Sequence, residues 1–91
     1  MNDLDYIYPV RSCFHTFGDG SCLIVAIYRD TIEIKKYNTH DILAIDIKDN
    51  HAFISVNYLL YVFTATNLSN EDLHNLIDYA NQNQIKLNIS Q

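Results

Sequence analysis

The chain has 91 residues, of which 48% are hydrophobic and 19% charged, a balance that excludes intrinsic disorder and fits one small domain. At this size roughly 64% of the extended chain's surface is buried on folding, enough for one core without help from a metal or a disulfide. Six basic residues against eleven acidic ones leave a net charge of −5, the wrong sign for a phosphate-backbone binder, so no nucleic-acid partner is expected.

The stretch Met1-Asn2-Asp3-Leu4-Asp5 is acidic and lacks the basic, apolar and small-residue regions of a signal peptide. The longest apolar run, residues 22–28, falls far short of the roughly 20 residues a membrane helix needs. The expectation is a cytoplasmic protein with no membrane partner.

Residues 6–17 read as a first strand, and Pro9 requires it to start after that position or lie at an edge. Gly18-Asp19-Gly20 reads as a hairpin turn with Asp19-Gly20 as its two central residues. That register sets Cys22 opposite Phe17 and Cys13 opposite Ala26, with the cysteines roughly 13 Å apart along the ladder, too far to bridge. A turn centred on Phe17-Gly18 would bring them face to face, but Phe is a poor residue there. Two reduced thiols are expected.

Residues 22–28 are apolar throughout, the mark of a strand covered on both faces. Arg29-Asp30 turns the chain into residues 31–35, where Ile32 and Ile34 alternate with Thr31, Glu33 and Lys35; the isoleucines are expected inward. Asn38-Thr39-His40-Asp41 breaks the pattern. Residues 42–48 alternate again, with Leu43, Ile45 and Ile47 on one face and Asp46 and Lys48 on the other, before the turn signal Asp49-Asn50. Residues 51–56 and 59–63 form either two strands joined at Asn57-Tyr58 or one long bent strand.

The helix is the most strongly signalled element. Ser69 is its N-cap, Asp72 makes a capping-box-like pair with it, and Leu68 and Leu73 form a hydrophobic staple. Leu73, Leu76, Ile77 and Ala80 give one apolar stripe, and residues 81–84 let the helix fade. Ile85, Leu87 and Ile89 then alternate with Lys86, Asn88 and Ser90 as a last edge strand. These elements predict an α+β domain: a curved, mostly antiparallel sheet or partly open barrel of about six or seven strands. One C-terminal amphipathic helix, over about residues 69–83, and a short terminal strand complete it.

Residues 31–35, the meander over residues 40–62, and Asn67-Leu68-Ser69-Asn70-Glu71-Asp72-Leu73 opening the final helix together resemble the second half of bacterial pleckstrin-homology-like domains. The resemblance covers about two-thirds of the chain and is one of periodicity and capping. It implies two packed, bent antiparallel sheets closed at one end by the C-terminal helix, and a scaffold or regulatory role. The strand signal after Asn83 departs from that pattern. The loops also lack a basic cluster for phosphoinositide headgroups, so lipid binding is not implied.

Chemistry is sparse. His15, His40, His51 and His74 show no spacing that puts two metal ligands on one face, so no metal or cofactor is expected. Cys13 and His15 share a strand face but stand roughly 7 Å apart, and His40 beside Asp41 reads as turn capping. No carboxylate is embedded in apolar sequence, which is what would raise its pKa for general acid work. Gly18-Asp19-Gly20 lacks the longer glycine spacing and the following helix of a phosphate cradle. No catalytic residue is expected.

Seven tyrosines accompany the acidic residues, and tyrosine is enriched at binding hot spots. Tyr28 and Tyr61 sit in apolar runs as core residues, while Tyr6, Tyr8, Tyr37 and Tyr58 lie near turns or the terminus. The sequence therefore suggests a small, acidic, non-enzymatic protein-binding module. It would be an immunity or inhibitor protein that neutralises a basic partner such as a toxin nuclease, itself a monomer or weak homodimer. Tyr37, Asp41, Asp46, Asp49 and Tyr58 are the expected partner-binding residues, with electrostatic steering speeding association. The alternative is a pleckstrin-homology-like scaffold that self-associates through an edge strand such as residues 85–89.

Overall fold

The computed structural model describes residues 9–57 and 62–90. Among the described residues, seven strands form two sheets, and one helix lies between the last two strands. β1 (Arg11–Thr16), β2 (Cys22–Ile27) and β3 (Ile32–Tyr37) make an antiparallel three-stranded sheet in chain order. A 3₁₀ turn at Thr39–Asp41 leads to β4 (Ile42–Lys48), β5 (His51–Val56) and β6 (Val62–Ala65). Helix α1 (Asn70–Gln82) follows, and β7 (Lys86–Ser90) completes the second sheet in the order β6-β5-β4-β7. The expected α+β architecture is therefore present as two mostly antiparallel sheets that do not close into a barrel; only β7 runs parallel to its neighbour, β4. No helix among the described residues is long and apolar enough to cross a membrane.

Local chemistry accounts for most of the boundaries. β1 begins after Pro9, as the missing proline N–H requires. Ser69 caps α1 by accepting a hydrogen bond from the Asp72 N–H at 3.0 Å. The Asp72 carboxylate, expected to reach back to the cap, instead accepts the Phe14 N–H at 3.2 Å. It thus ties the helix start to the outer edge of β1. Asp49 adopts φ 55 in the two-residue turn joining Lys48 to His51, a conformation Asp and Asn tolerate better than most residues. β5 and β6 pair antiparallel, so they are two strands and not one bent strand; residues 58–61, Tyr58 and Tyr61 among them, lie outside the described residues.

The helix ends in a Schellman motif. Gln84 sits at φ 57, its N–H bonds the Asn81 carbonyl, and the Ile85 N–H bonds the Ala80 carbonyl at 2.9 Å. This reversal drops Ile85 into the core and starts β7 alongside β4.

The core lies between the inner faces of the two sheets and the helix. It is built on Ile24, Ile45, Ile54, Val56, Phe63 and Leu76, all at most 2% exposed. Leu73 and Ile77 of the predicted stripe pack against it, as does Tyr28. Tyr79, one position before Ala80, is buried too and meets Phe14 edge to face at 5.7 Å.

Four expectations need correction. The β1–β2 loop contains three residues, Gly18-Asp19-Gly20, because the Asp19 carboxylate accepts from the Ser21 N–H and hydroxyl while Gly20 takes φ 90. Cys13 therefore faces Val25, and Cys22 faces Thr16. The cysteines are free and on opposite sides of the sheet.

Ile32 and Ile34 point outward, at 61% and 62% exposure, while Glu33 and Lys35 occupy the inward side. The Arg29-Asp30 turn dictates this: it pairs Ile27 with Ile32 and Val25 with Ile34, and β2 turns Cys22, Ile24 and Ala26 toward the core. β2 itself is only half covered on its second face, where Leu23, Val25 and Ile27 lie. Leu43 is also exposed, because a β-bulge between Ile42 and Ala44 puts Ile42 into the core in its place.

Candidate interaction surfaces and a hydroxyl cluster

Of the five residues expected to meet a partner, the four that are described do not gather at one place. Tyr37 is 7% exposed and stacks edge-on to Phe63 at 6.4 Å. It closes β3 on the inward side, so its ring belongs to the core. Asp41 is half-buried and accepts the Asn38 N–H at 3.3 Å while lying 3.7 Å from the His40 imidazole, so it caps the 3₁₀ turn. Asp46 stands on the outer face of the second sheet and accepts a hydrogen bond from Asn88 at 2.8 Å. Asp49 is exposed in the β4–β5 turn. Asp41 and Asp49 flank opposite ends of β4, roughly 25 Å apart at the usual strand rise. Tyr58 lies outside the described residues.

Charge is nevertheless unevenly distributed. Over residues 38–90, Lys48 and Lys86 stand against Asp41, Asp46, Asp49, Glu71, Asp72 and Asp78, a net −4. Over residues 9–37, Arg11, Arg29, Lys35 and Lys36 outnumber Asp19, Asp30 and Glu33, a net +1. Among the described residues the acidic character thus sits on the second sheet and the helix.

The outer face of the first sheet is a different surface. Strand alternation places Cys13, Leu23, Val25, Ile27, Ile32 and Ile34 on it. Its charged side chains are basic: Arg11 on β1 and Lys36 on β3, whose ammonium lies 5.5 Å from the centre of the Phe17 ring. No described strand or helix forms a second layer over this face, and an exposed apolar patch is a common mark of an interaction surface. The signal was available in sequence as two adjacent apolar strands, but periodicity alone does not say which face is turned out.

On the opposite side of that sheet, a cluster of hydroxyls joins three connections. The Gly20 carbonyl accepts from Thr39 Oγ1 at 2.7 Å and from the Tyr79 OH at 2.8 Å, with the two hydroxyl oxygens 3.2 Å apart. The β1–β2 loop, the 3₁₀ turn and α1 are thereby held together at one carbonyl. A polar cleft of about 410 Å³ opens beside it, between the loop at Phe17 and Gly20 and the helix at Asn75, Asp78 and Gln82. Its lining contains no histidine, no cysteine and no second carboxylate to pair with Asp78. Among the described residues, no three His, Cys, Asp or Glu side chains gather to hold a metal ion.

Cys22 lies against this cluster, wholly inaccessible to solvent. Burial pushes its thiol up from 9.0 to about 11, against a smaller opposing pull from a hydrogen bond with Tyr79; burial likewise pushes the Tyr79 phenol up from 10.0 to about 12. Both groups fold in their neutral forms. Their contribution is complete below the unfolded-state values and is lost as pH rises through the folded ones, so stability falls progressively from about pH 9 to about pH 12. Urea midpoints measured across that range are expected to decline, and Cys22→Ala to flatten the part between pH 9 and 11. Iodoacetamide at pH 8 is expected to label half-exposed Cys13 and to reach Cys22 only on unfolding. Equal labelling of both thiols in the folded protein would contradict the packing.

No protein-family model matches the chain, and neither a curated protein nor a solved structure matches it.

Proposed function

We propose that this protein is a non-enzymatic binding module that neutralises a basic protein partner, as an immunity or inhibitor protein does for a toxin nuclease. The observation that carries the reading is the concentration of negative charge on the second sheet and helix, net −4 over residues 38–90. An acidic surface on a small domain steers a basic partner into encounter and competes for a groove that would otherwise take phosphates. Within that surface Asp46 and Asp49 are the contact residues, near one end of β4. Asp41 contributes charge from a capping position, and Tyr37 acts only through the core.

The product of the gene adjacent to this one is the partner to test. A complex is expected whose association rate falls about tenfold or more between low and moderate salt. Asp46→Lys with Asp49→Lys should slow association more than it speeds dissociation. Binding that ignores salt and survives both reversals would defeat the reading.

The second reading is a pleckstrin-homology-like scaffold or regulatory domain. The exposed apolar face of the first sheet favours it, because a protein that only presents an acidic surface has no use for that face.

A further inference from the structure

The first sheet has two edges, and they are treated differently. Along β1, the connector into the helix covers the edge. The Thr66 N–H bonds Ser12 Oγ at 3.0 Å, the Thr66 hydroxyl bonds the Pro9 carbonyl, Asn67 Nδ2 bonds the Val10 carbonyl at 2.8 Å, and Asp72 takes the Phe14 N–H. Along β3, no described strand pairs with the outer edge. An uncovered edge is a template for another strand, and this one has two exposed isoleucines beside it.

The backbone fixes which groups the edge offers. The Tyr28 N–H bonds the Thr31 carbonyl, so odd-numbered residues of β3 turn their N–H and C=O toward β2. Even-numbered ones, Ile32, Ile34 and Lys36, turn theirs outward. A second β3 running antiparallel can satisfy both ladders only where even residues meet even residues. Centring the pair on Glu33 sets two glutamates face to face, and centring it on Lys35 sets two lysines face to face. Centring it on Ile34 sets Glu33 opposite the second copy's Lys35 and Lys35 opposite its Glu33. These fall at non-hydrogen-bonded positions, where side chains approach most closely. Glu33 and Lys35 are already 3.6 Å apart within one strand, so four alternating charges would close into a ring. The edge strands of the other sheet are β6, with no charged residue, and β7, with one, Lys86, so neither has a charge pattern to select a register.

We propose that two copies of this chain associate through β3, pairing antiparallel about a two-fold axis at Ile34 so that two three-stranded sheets become one of six. Ile34 then lies beside its own symmetry mate and Ile32 beside the stem of Lys36, on a continuous apolar outer face. The proposal stands independently of the acidic surface and its partner, which lie on the other sheet and the helix.

Sedimentation equilibrium of the full chain, from about 5 µM to about 1 mM, tests it. A reversible monomer–dimer equilibrium is expected. Glu33→Lys and Lys35→Glu should each weaken the dimer about tenfold or more, because each replaces two attractive pairs by two repulsive ones. Mixed in equal amounts, the two variants should form a heterodimer of native affinity, since every pair across the axis is then opposite in sign; that recovery also shows both are folded. Ile34→Pro, which spares the ladder to β2, should abolish the dimer while leaving the circular dichroism spectrum unchanged. Four outcomes overturn the proposal: a monomer at every concentration, a dimer indifferent to both single reversals, a mixture that does not recover, or Ile34 and Lys36 amides protected from exchange in the monomer. The last would mean that a segment of the same chain occupies the edge.

Discussion

Ile24→Ala is expected to lower the unfolding free energy by about 3 kcal/mol, whereas Ile34→Thr, one strand away in the same sheet, is expected to change it by less than about 0.5 kcal/mol in dilute solution. The residue type is identical and the strands are neighbours. What differs is the face. Ile24 is 1% exposed between the two sheets, so truncation removes contacts on every side and leaves a cavity. Ile34 already meets water, and threonine keeps the β-branch that suits a strand. Urea denaturation of the two variants at low protein concentration decides the matter. A loss of 2 kcal/mol or more at Ile34, about what full burial of an isoleucine contributes, would mean that its face is covered in the folded monomer and that the assigned orientation of β3 is wrong.

That inversion marks where the sequence stopped being legible. Alternation at Ile32 and Ile34 shows that the two share a face; it carries no information on which way the face is turned. The choice is made next door, where β2 is apolar on both sides and only packing selects Cys22, Ile24 and Ala26 for the core. One added loop residue at Gly18-Asp19-Gly20 moved the β1–β2 register by a single position and put Cys13 on the opposite side from Cys22. The bulge at Ile42 and Ala44 did the same to Leu43.

Local signals fared better. Ser69, Leu68, Leu73 and Leu76 act within one or two turns of helix, and the helix lies where they placed it. Its end was less visible, since the left-handed position is held by Gln84 without the glycine that usually announces a Schellman motif. Of the candidate binding residues, Asp46 lies on the outer face as the alternation required, and Asp49 is exposed in the turn that Asp49-Asn50 signalled. Tyr37 did not, because being near a turn says little about a ring that ends an inward-facing series. Tyr79 could have been found: it follows Leu76 by three positions and so lies on the same buried stripe.

Thr39→Val and Tyr79→Phe, each made alone, are expected to cost about 1 kcal/mol, and the double variant about 3 kcal/mol, more than the two together. The reason is the carbonyl of Gly20. It accepts from Thr39 Oγ1 and from the Tyr79 OH, so removing either hydroxyl leaves it one protein donor. Removing both leaves a part-buried acceptor with neither, in a loop that also presses against the 3₁₀ turn and the helix. The loss should be cooperative across the molecule, because the three connections joined there belong to both sheets and to α1. A second readout separates this from simple loss of packing: Tyr79→Phe should remove the phenol's part of the alkaline destabilisation, between about pH 10 and about pH 12, while the Cys22 part persists and grows, since the opposing Tyr79 hydrogen bond is gone. A double-mutant cycle that is additive within about 0.3 kcal/mol would show that water reaches Gly20 freely, and that the two hydroxyls stabilise the fold separately.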